Sequence, residues 1–168
     1  GLLEPAVARR HAPALAEILG ARLRLQVDGA PVAVVLSGLT PLPDRLSFAE
    51  GATLGIPAMT AWTCLFCDGP IAGKTVLVTG GAGAVGHYAV QLAKWGGAQA
   101  IATVSSAAKA EQARLAGADL VINYKTEDVV AKAMAFTGQR GVGRVVDVDF
   151  GGNIDTTLKL MGMNSTIA

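Results

Sequence analysis

Residues Gly81-Ala82-Gly83-Ala84-Val85-Gly86 spell G-x-G-x-x-G, a spacing that lets a backbone turn cradle the pyrophosphate of a dinucleotide. Gly81 is expected to permit the tight turn, Gly83 to let the pyrophosphate approach the backbone, and Gly86 to let a helix pack closely on a strand. A helix starting there adds free N–H groups and the positive end of its dipole, both favourable to a bound anion. With 21 glycines in 168 residues, the match alone is weak, because a glycine-rich turn that binds nothing reads the same way. Its setting strengthens it: the β-prone run Thr75–Thr79 comes directly before, and Val85, Ala89, Leu92, Ala93 and Gly96 recur at helical spacing directly after.

The residues after the second strand bear on which dinucleotide is held. An NAD site usually carries Asp or Glu about 20 residues beyond the glycines, bonded to the ribose 2′-hydroxyl. Here the strand ends Thr103-Val104-Ser105-Ser106, with no acid, and Lys109 follows four residues after Ser105. A carboxylate would repel a 2′-phosphate. Its absence and the lysine charge therefore favour NADPH over NADH, although Lys109 also suits an ordinary solvated helix position.

Other side chains invite chemistry and meet a simpler explanation. Cys64 and Cys67 form C-x-x-C, either a redox pair or half a zinc site. A structural zinc needs four ligands, and no second C-x-x-C or H-x-x-H completes one. On a helix over Ala58–Cys67 the two thiols are expected to be buried or half-buried packing groups. His87 is expected at a solvent-side or packing position and Trp62 and Trp95 as packing residues. Asp147 and Asp149 are expected to face one side of a strand, one of them bordering the cofactor crevice. Tyr124 reads as a proton donor or, better, as an adenosine-side contact. No catalytic residue is assigned.

The elements that position these groups begin near Pro70. Strands at Thr75–Thr79, Gln99–Val104, Leu120–Asn123, Arg144–Phe150 and Ser165–Ala168 alternate with helices at Val85–Gly96, Ala107–Leu115, Thr126–Ala135 and Ile154–Met161. Thr126 is the expected N-cap of the third helix, with Glu127-Asp128 in its first turn. Such alternation predicts an α/β fold of Rossmann type: a parallel sheet with helices on both faces, truncated, and preceded by a short irregular N-terminal segment. Upstream, Pro41-Leu42-Pro43-Asp44 is stiff, and Ser47-Phe48-Ala49-Glu50 matches a capping box for a short helix that Gly55 and Pro57 end. In the first 40 residues, Glu4–Leu19 reads as a helix that Pro13 would kink. Arg22–Val27 and Val32–Leu36 read as strands around an Asp28-Gly29 turn. Residues 1–40 are thus one segment and 41–168 the dinucleotide-binding domain.

An ordered series of motifs carries a family resemblance. Leu42-Pro43-Asp44, Glu50-Gly51-Ala52, Pro57-Ala58-Met59-Thr60-Ala61-Trp62, the run Val76–Gly86, Gln91-Leu92-Ala93-Lys94 and Val121-Ile122-Asn123-Tyr124 resemble the medium-chain dehydrogenase/reductase superfamily. Within it they are most similar to zinc-independent NADPH:quinone oxidoreductases of the zeta-crystallin type, over about residues 41–168. The resemblance implies that Ser105, Lys109 and Tyr124 hold the adenosine 2′-phosphate, that Thr60 approaches the nicotinamide end, and that Gly83, Ala84, Val85 and Gly86 form the pyrophosphate turn. It implies hydride transfer from NADPH to a quinone or enone acceptor without metal. Family members also carry a GroES-like substrate domain, which the first 40 residues do not resemble, and further C-terminal strands. The expectation is an oxidoreductase by descent; the alternative is a weak or inactive NADPH-binding fragment with a binding or structural role. Homodimerisation fits, because family members commonly associate and a sheet ending at Ala168 leaves an edge.

Composition narrows the remaining classes. Hydrophobic residues make up 51% and charged residues 16%, which predicts a folded core rather than disorder. A net charge of +1 gives no basic footprint for nucleic acid. No apolar run reaches the ~18 residues of a membrane span, and no signal-peptide pattern opens the chain. A cytoplasmic location is the expectation.

Overall fold

The computed structural model describes residues 22–27, 30–35, 44–45 and 47–168. The chain divides into two compact units, Gly1–Phe48 and Ala49–Ala168. In the first, β1 (Arg22–Val27) pairs antiparallel with β2 (Ala30–Val35), with Val27 opposite Ala30. This is the expected hairpin, its second strand starting two residues before the Val32 read from the sequence. The expected helix Glu4–Leu19 and the Asp28-Gly29 turn lie outside the described residues.

The second unit is built on five parallel strands: β3 (Thr75–Val78), β4 (Gln99–Val104), β5 (Leu120–Asn123), β6 (Val142–Val146) and β7 (Met161–Ile167). Their spatial order is β5-β4-β3-β6-β7. The chain winds outward from β3 to β5, returns to the other side of β3, and continues to β7. This reversal beside the first strand is the switch point at which open α/β sheets bind ligands, outside the strand C-termini.

Helices cover both faces because alternate strand residues are apolar on both sides. Val76, Val78, Ala100, Ala102 and Val104 are buried against α2 (Met59–Phe66), α3 (Ala84–Trp95) and α4 (Ala107–Leu115). Leu77, Ile101, Ile122 and Val145 are buried on the opposite face, against α5 (Val129–Phe136) and α6 (Phe150–Leu160). The first face is rich in alanine, so α3 sits close to the sheet.

Several boundaries differ from the sequence reading for local polar reasons. Gly55 and Pro57 do not end the first helix: α1 (Phe48–Thr53) runs through a π-turn at Leu54–Ala58 directly into α2. The wider turn accommodates Pro57, which an α-helix interior would not. Thr126 is not the cap of α5. Asp128 is, its carboxylate accepting the Ala131 N–H at 2.9 Å, while Glu127 turns back to accept the Asn123 N–H at 2.6 Å. Strand β6 starts at Val142 and stops at Val146 rather than Phe150. Asp147 then accepts the Asp149 N–H at 2.9 Å, and Asp149 caps α6 through the Gly152 N–H. Helix α6 therefore starts four residues before Ile154, and β7 follows it without a loop.

Candidate functional site at the strand ends

The glycine turn joins β3 to α3 at the switch point. Gly80, just before the motif, takes the left-handed conformation at φ +63°, so the tight turn depends on Gly80 and not on Gly81. Gly81 is required by proximity: a Cβ there would stand 2.6 Å from the Ala102 Cβ on β4. At Gly86 a Cβ would meet the carbonyl carbon of Gly80 at 2.8 Å and the Cα of Gly81 at 2.9 Å, the close helix–strand contact expected of it. Gly83 is exposed, extended, and the N-cap of α3 without a side-chain cap. The first-turn N–H groups of α3 thus start from a residue that places no side chain over them, as an anion cradle requires.

Hydrogen bonds fix the turn against the sheet. The Gly81 N–H donates to the Thr103 carbonyl at 2.9 Å, the Gly80 N–H to Thr103 Oγ1 at 3.3 Å, and the Gly83 N–H to the Gly80 carbonyl at 2.8 Å. Next to it, the buried Thr79 hydroxyl donates to Asp147 Oδ1 at 2.8 Å and accepts the Val148 N–H at 3.0 Å. Asp147 also accepts from Asn153 Nδ2 at 2.9 Å and from the Thr157 hydroxyl at 3.4 Å. This carboxylate ties together the ends of β3 and β6 and the first turns of α6. The expectation that Asp147 and Asp149 share a strand face fails, because both lie beyond β6. Asp149 nevertheless borders the crevice, as one of the two was expected to.

Two cavities flank the turn. The first, of about 410 Å³, is lined by Thr79, Gly80, Thr103, Tyr124, Val148, Asp149 and Asn153 among others. The second, of about 620 Å³, is lined by Thr53, Pro57, Ala82, Gly83, Ala84, His87, Tyr88, Gln91 and Gln112. In it the Tyr88 hydroxyl meets Thr53 Oγ1 at 2.5 Å. The Thr53 proton is directed to the Glu50 carbonyl, which leaves Tyr88 as the donor.

The remaining predicted residues are placed as follows. Lys109 Nζ, exposed in the first turn of α4, donates at 3.2 Å to Oγ of the half-buried Ser105 just beyond β4. Tyr124 follows β5 immediately, its N–H bonded to the Val104 carbonyl at 3.0 Å, so it stands on the strand end adjacent to Ser105. Val85 is half-buried against the core. Thr60 is exposed in the first turn of α2 and lines neither cavity. Cys64 is half-buried as expected, but Cys67 is exposed at the C-terminus of α2. Trp62 and Trp95 do pack, on Phe66 and on each other with ring centroids 5.7 Å apart, yet they are 48% and 72% exposed, a surface cluster rather than core.

Sequence reasoning missed Thr79, Asn153 and the buried Arg144. Arg144 Nε donates to the Cys64 carbonyl at 2.6 Å and its guanidinium pairs with Asp68. A charged residue inside an otherwise apolar strand was the one available signal, since a buried arginine requires a partner. Among the described residues no cluster of three His, Cys, Asp or Glu side chains is suited to a metal, and no helix is long and apolar enough to cross a membrane.

Turn, strand order and crevice define a dinucleotide-binding α/β domain. Comparison with known proteins gives the family: residues 84–168 match the family described as zinc-binding dehydrogenase, and the chain belongs to it, as a quinone oxidoreductase-like member of the medium-chain dehydrogenase/reductase superfamily. It is 33% identical over 128 residues to the quinone oxidoreductase of Rattus norvegicus, covering 76% of this chain and 39% of the rat protein. It is 46% identical over 87 residues to 2-methylene-furan-3-one reductase of Solanum lycopersicum, covering 51% and 22%. The crystal structure of Escherichia coli quinone oxidoreductase complexed with NADPH superimposes with a TM-score of 0.70 at 32% identity, covering 80% of this chain and 40% of that one. The chain thus spans about two fifths of the rat and E. coli proteins.

Proposed function

We propose that this chain is the NADPH-binding part of an oxidoreductase that passes hydride to a quinone or enone acceptor without zinc. The observation that carries the reading is the glycine turn at the switch point, where Gly81 and Gly86 have no room for a side chain and Gly83 leaves the helix start uncovered. When bound, NADPH supplies the hydride. Gly83, Ala84, Val85 and Gly86 would hold the pyrophosphate through backbone N–H groups. Ser105 and Lys109, with Tyr124 on the next strand end, would hold the 2′-phosphate, and Thr60 the nicotinamide end. The Thr79–Asp147–Asn153 network keeps the crevice wall rigid, so that positioning is preserved as ligand enters. The region from residue 41 onward is assigned to this domain. Zinc independence is supported by the resemblance of the motifs and by the Cys67 sulfur being engaged with Arg144 and Asp68. The acceptor class is supported by the quinone and furanone reductases among the relatives.

The test is a calorimetric titration with NADPH and NADH. NADPH is expected to bind at least tenfold tighter, about 1.4 kcal/mol. Lys109→Ala should remove most of that difference by weakening NADPH alone, since an exposed cation contributes roughly 1 kcal/mol toward a phosphate. Equal affinities, or equal loss of both cofactors in the variant, would refute the assignment of Ser105 and Lys109. Tight NADPH binding with no oxidation by quinones or enones would support the alternative, a binding domain without catalysis.

A further inference from the structure

The C-x-x-C pair lies away from the strand-end crevice and the proposed function does not use it. Cys64 is half-buried and Cys67 exposed, one helical turn apart at the C-terminus of α2. The Cys67 thiol donates to Asp68 Oδ1 at 2.6 Å, and Arg144 Nη2 donates to Cys67 Sγ at 3.2 Å. Arg144 is buried and fixed by the Cys64 carbonyl and Asp68, so its charge is held beside the exposed sulfur. Metal binding is not the use of this cluster, because no third and fourth ligand converge on it among the described residues.

We propose that Cys64 and Cys67 are a redox-active dithiol that a peroxide converts to an intrahelical disulfide, Cys67 being the sulfur that reacts first. Cys67 is the accessible thiol, and its sulfur already accepts a hydrogen bond from the buried Arg144 guanidinium; the thiolate is the nucleophilic form. The Cys67 thiolate attacks one peroxide oxygen; an S–O bond forms, the O–O bond breaks, and hydroxide leaves with a proton as water. Cys64 then attacks the Cys67 sulfenic acid; the S–S bond forms and the S–O bond breaks. The departing hydroxide takes the Cys64 proton as a second water. Two thiols lose two electrons and one hydrogen peroxide gains them.

The local backbone permits closure. Cβ atoms three apart on a helix are about 5–6 Å from each other, and a disulfide needs about 4 Å, so the last turn must tighten. That turn is a helix end: Cys67 is the C-cap, and the turn after it runs through Gly69 at φ +105°. Burial pushes the Cys64 thiol up, and the neighbouring Cys67 sulfur adds to the rise. Cys64 is therefore suited to resolve rather than to start the reaction.

The experiment treats the purified chain with hydrogen peroxide and follows intact mass with dimedone present or absent. The wild-type chain should lose two hydrogens within one chain, reversibly with dithiothreitol. Cys64→Ser should instead retain a sulfenic acid on Cys67 that dimedone captures, and Cys67→Ser should react at least tenfold more slowly. Two alkylatable thiols after peroxide, links formed only between chains, or dimedone captured first on Cys64 would each overturn the proposal.

Discussion

Substituting Gly86 by alanine tests whether the turn is shaped by contact or only by sequence pattern. The added methyl would stand 2.8 Å from the Gly80 carbonyl carbon and 2.9 Å from the Gly81 Cα, and closer still to the Gly80 oxygen. Carbon atoms rest about 3.5–4.0 Å apart, so α3 and the turn must separate by something near 1 Å. None of these atoms belongs to a side chain that could swing away. Overpacking against backbone atoms that cannot swing away costs about 3 kcal/mol, the upper end of the usual range, while alanine for glycine in a helix returns roughly 1 kcal/mol. A net loss of about 2 kcal/mol follows, equivalent to a fall in Tm of roughly 5–10 °C for a unit of this size. Gly83→Ala is the control. Its methyl would meet only the Gly80 oxygen, at 3.2 Å, and the loss of a good N-cap costs up to about 1 kcal/mol. Thermal and urea unfolding followed by circular dichroism, with NADPH titration on the same samples, separates the two. Gly86→Ala should lose stability, and Gly83→Ala should lose mainly NADPH affinity. A Gly86→Ala chain as stable as wild type, or two variants equally destabilised, would refute the contact argument.

Two further outcomes are expected. Thr79→Val leaves Asp147 and the Val148 N–H each short of one partner, so urea unfolding should show a loss of about 1–3 kcal/mol. Asp119 accepts two bonds from Lys94, both at 2.8 Å, and the Ala100 N–H at 2.7 Å. Burial alone would raise its carboxyl, but these partners hold it below the usual value of 3.8. A carboxyl lowered on folding contributes stability above its unfolded pKa and loses it as pH falls through the folded one. Asp119→Asn should therefore cost about 1 kcal/mol at neutral pH, and the difference from wild type should shrink as pH falls below about 4 and vanish only below the folded pKa, measured by unfolding across pH.

The parallel sheet was legible because strands buried on both faces write themselves as unbroken apolar runs, and β4, β5 and α4 lie at their predicted residues. The glycine turn was legible from its position between a strand and a helix. Polar side chains that bond the backbone were not. Asp147 ends β6 early, Asp149 starts α6 four residues sooner, and Glu127 folds onto Asn123 instead of joining α5. In each case the sequence offers two equivalent acids, and only three-dimensional proximity selects between them. Pro57 misled for a related reason: its rule holds for α-helices, and the chain forms a π-turn there. Arg144 and Asp68 are 76 residues apart, beyond any local pattern.

That π-turn sets the azimuth of everything after it. Each residue advances an α-helix by about 100°, so five residues in the wider turn leave α2 out of phase with a straight continuation of α1. In the observed phase Ala61 and Leu65 point into the core and Thr60 points away from it. Were Leu54–Ala58 to close as a regular α-helix with all five residues kept, the irregular turn would be relieved but α2 would rotate by about that same 100°. Ala61 and Leu65 would turn out of the core, the bulkier neighbouring side chains would be driven toward it, and Thr60 would leave its outward direction. The irregular turn therefore acts as an angular offset, coupling the choice of core residues on α2 to the direction in which Thr60 is presented.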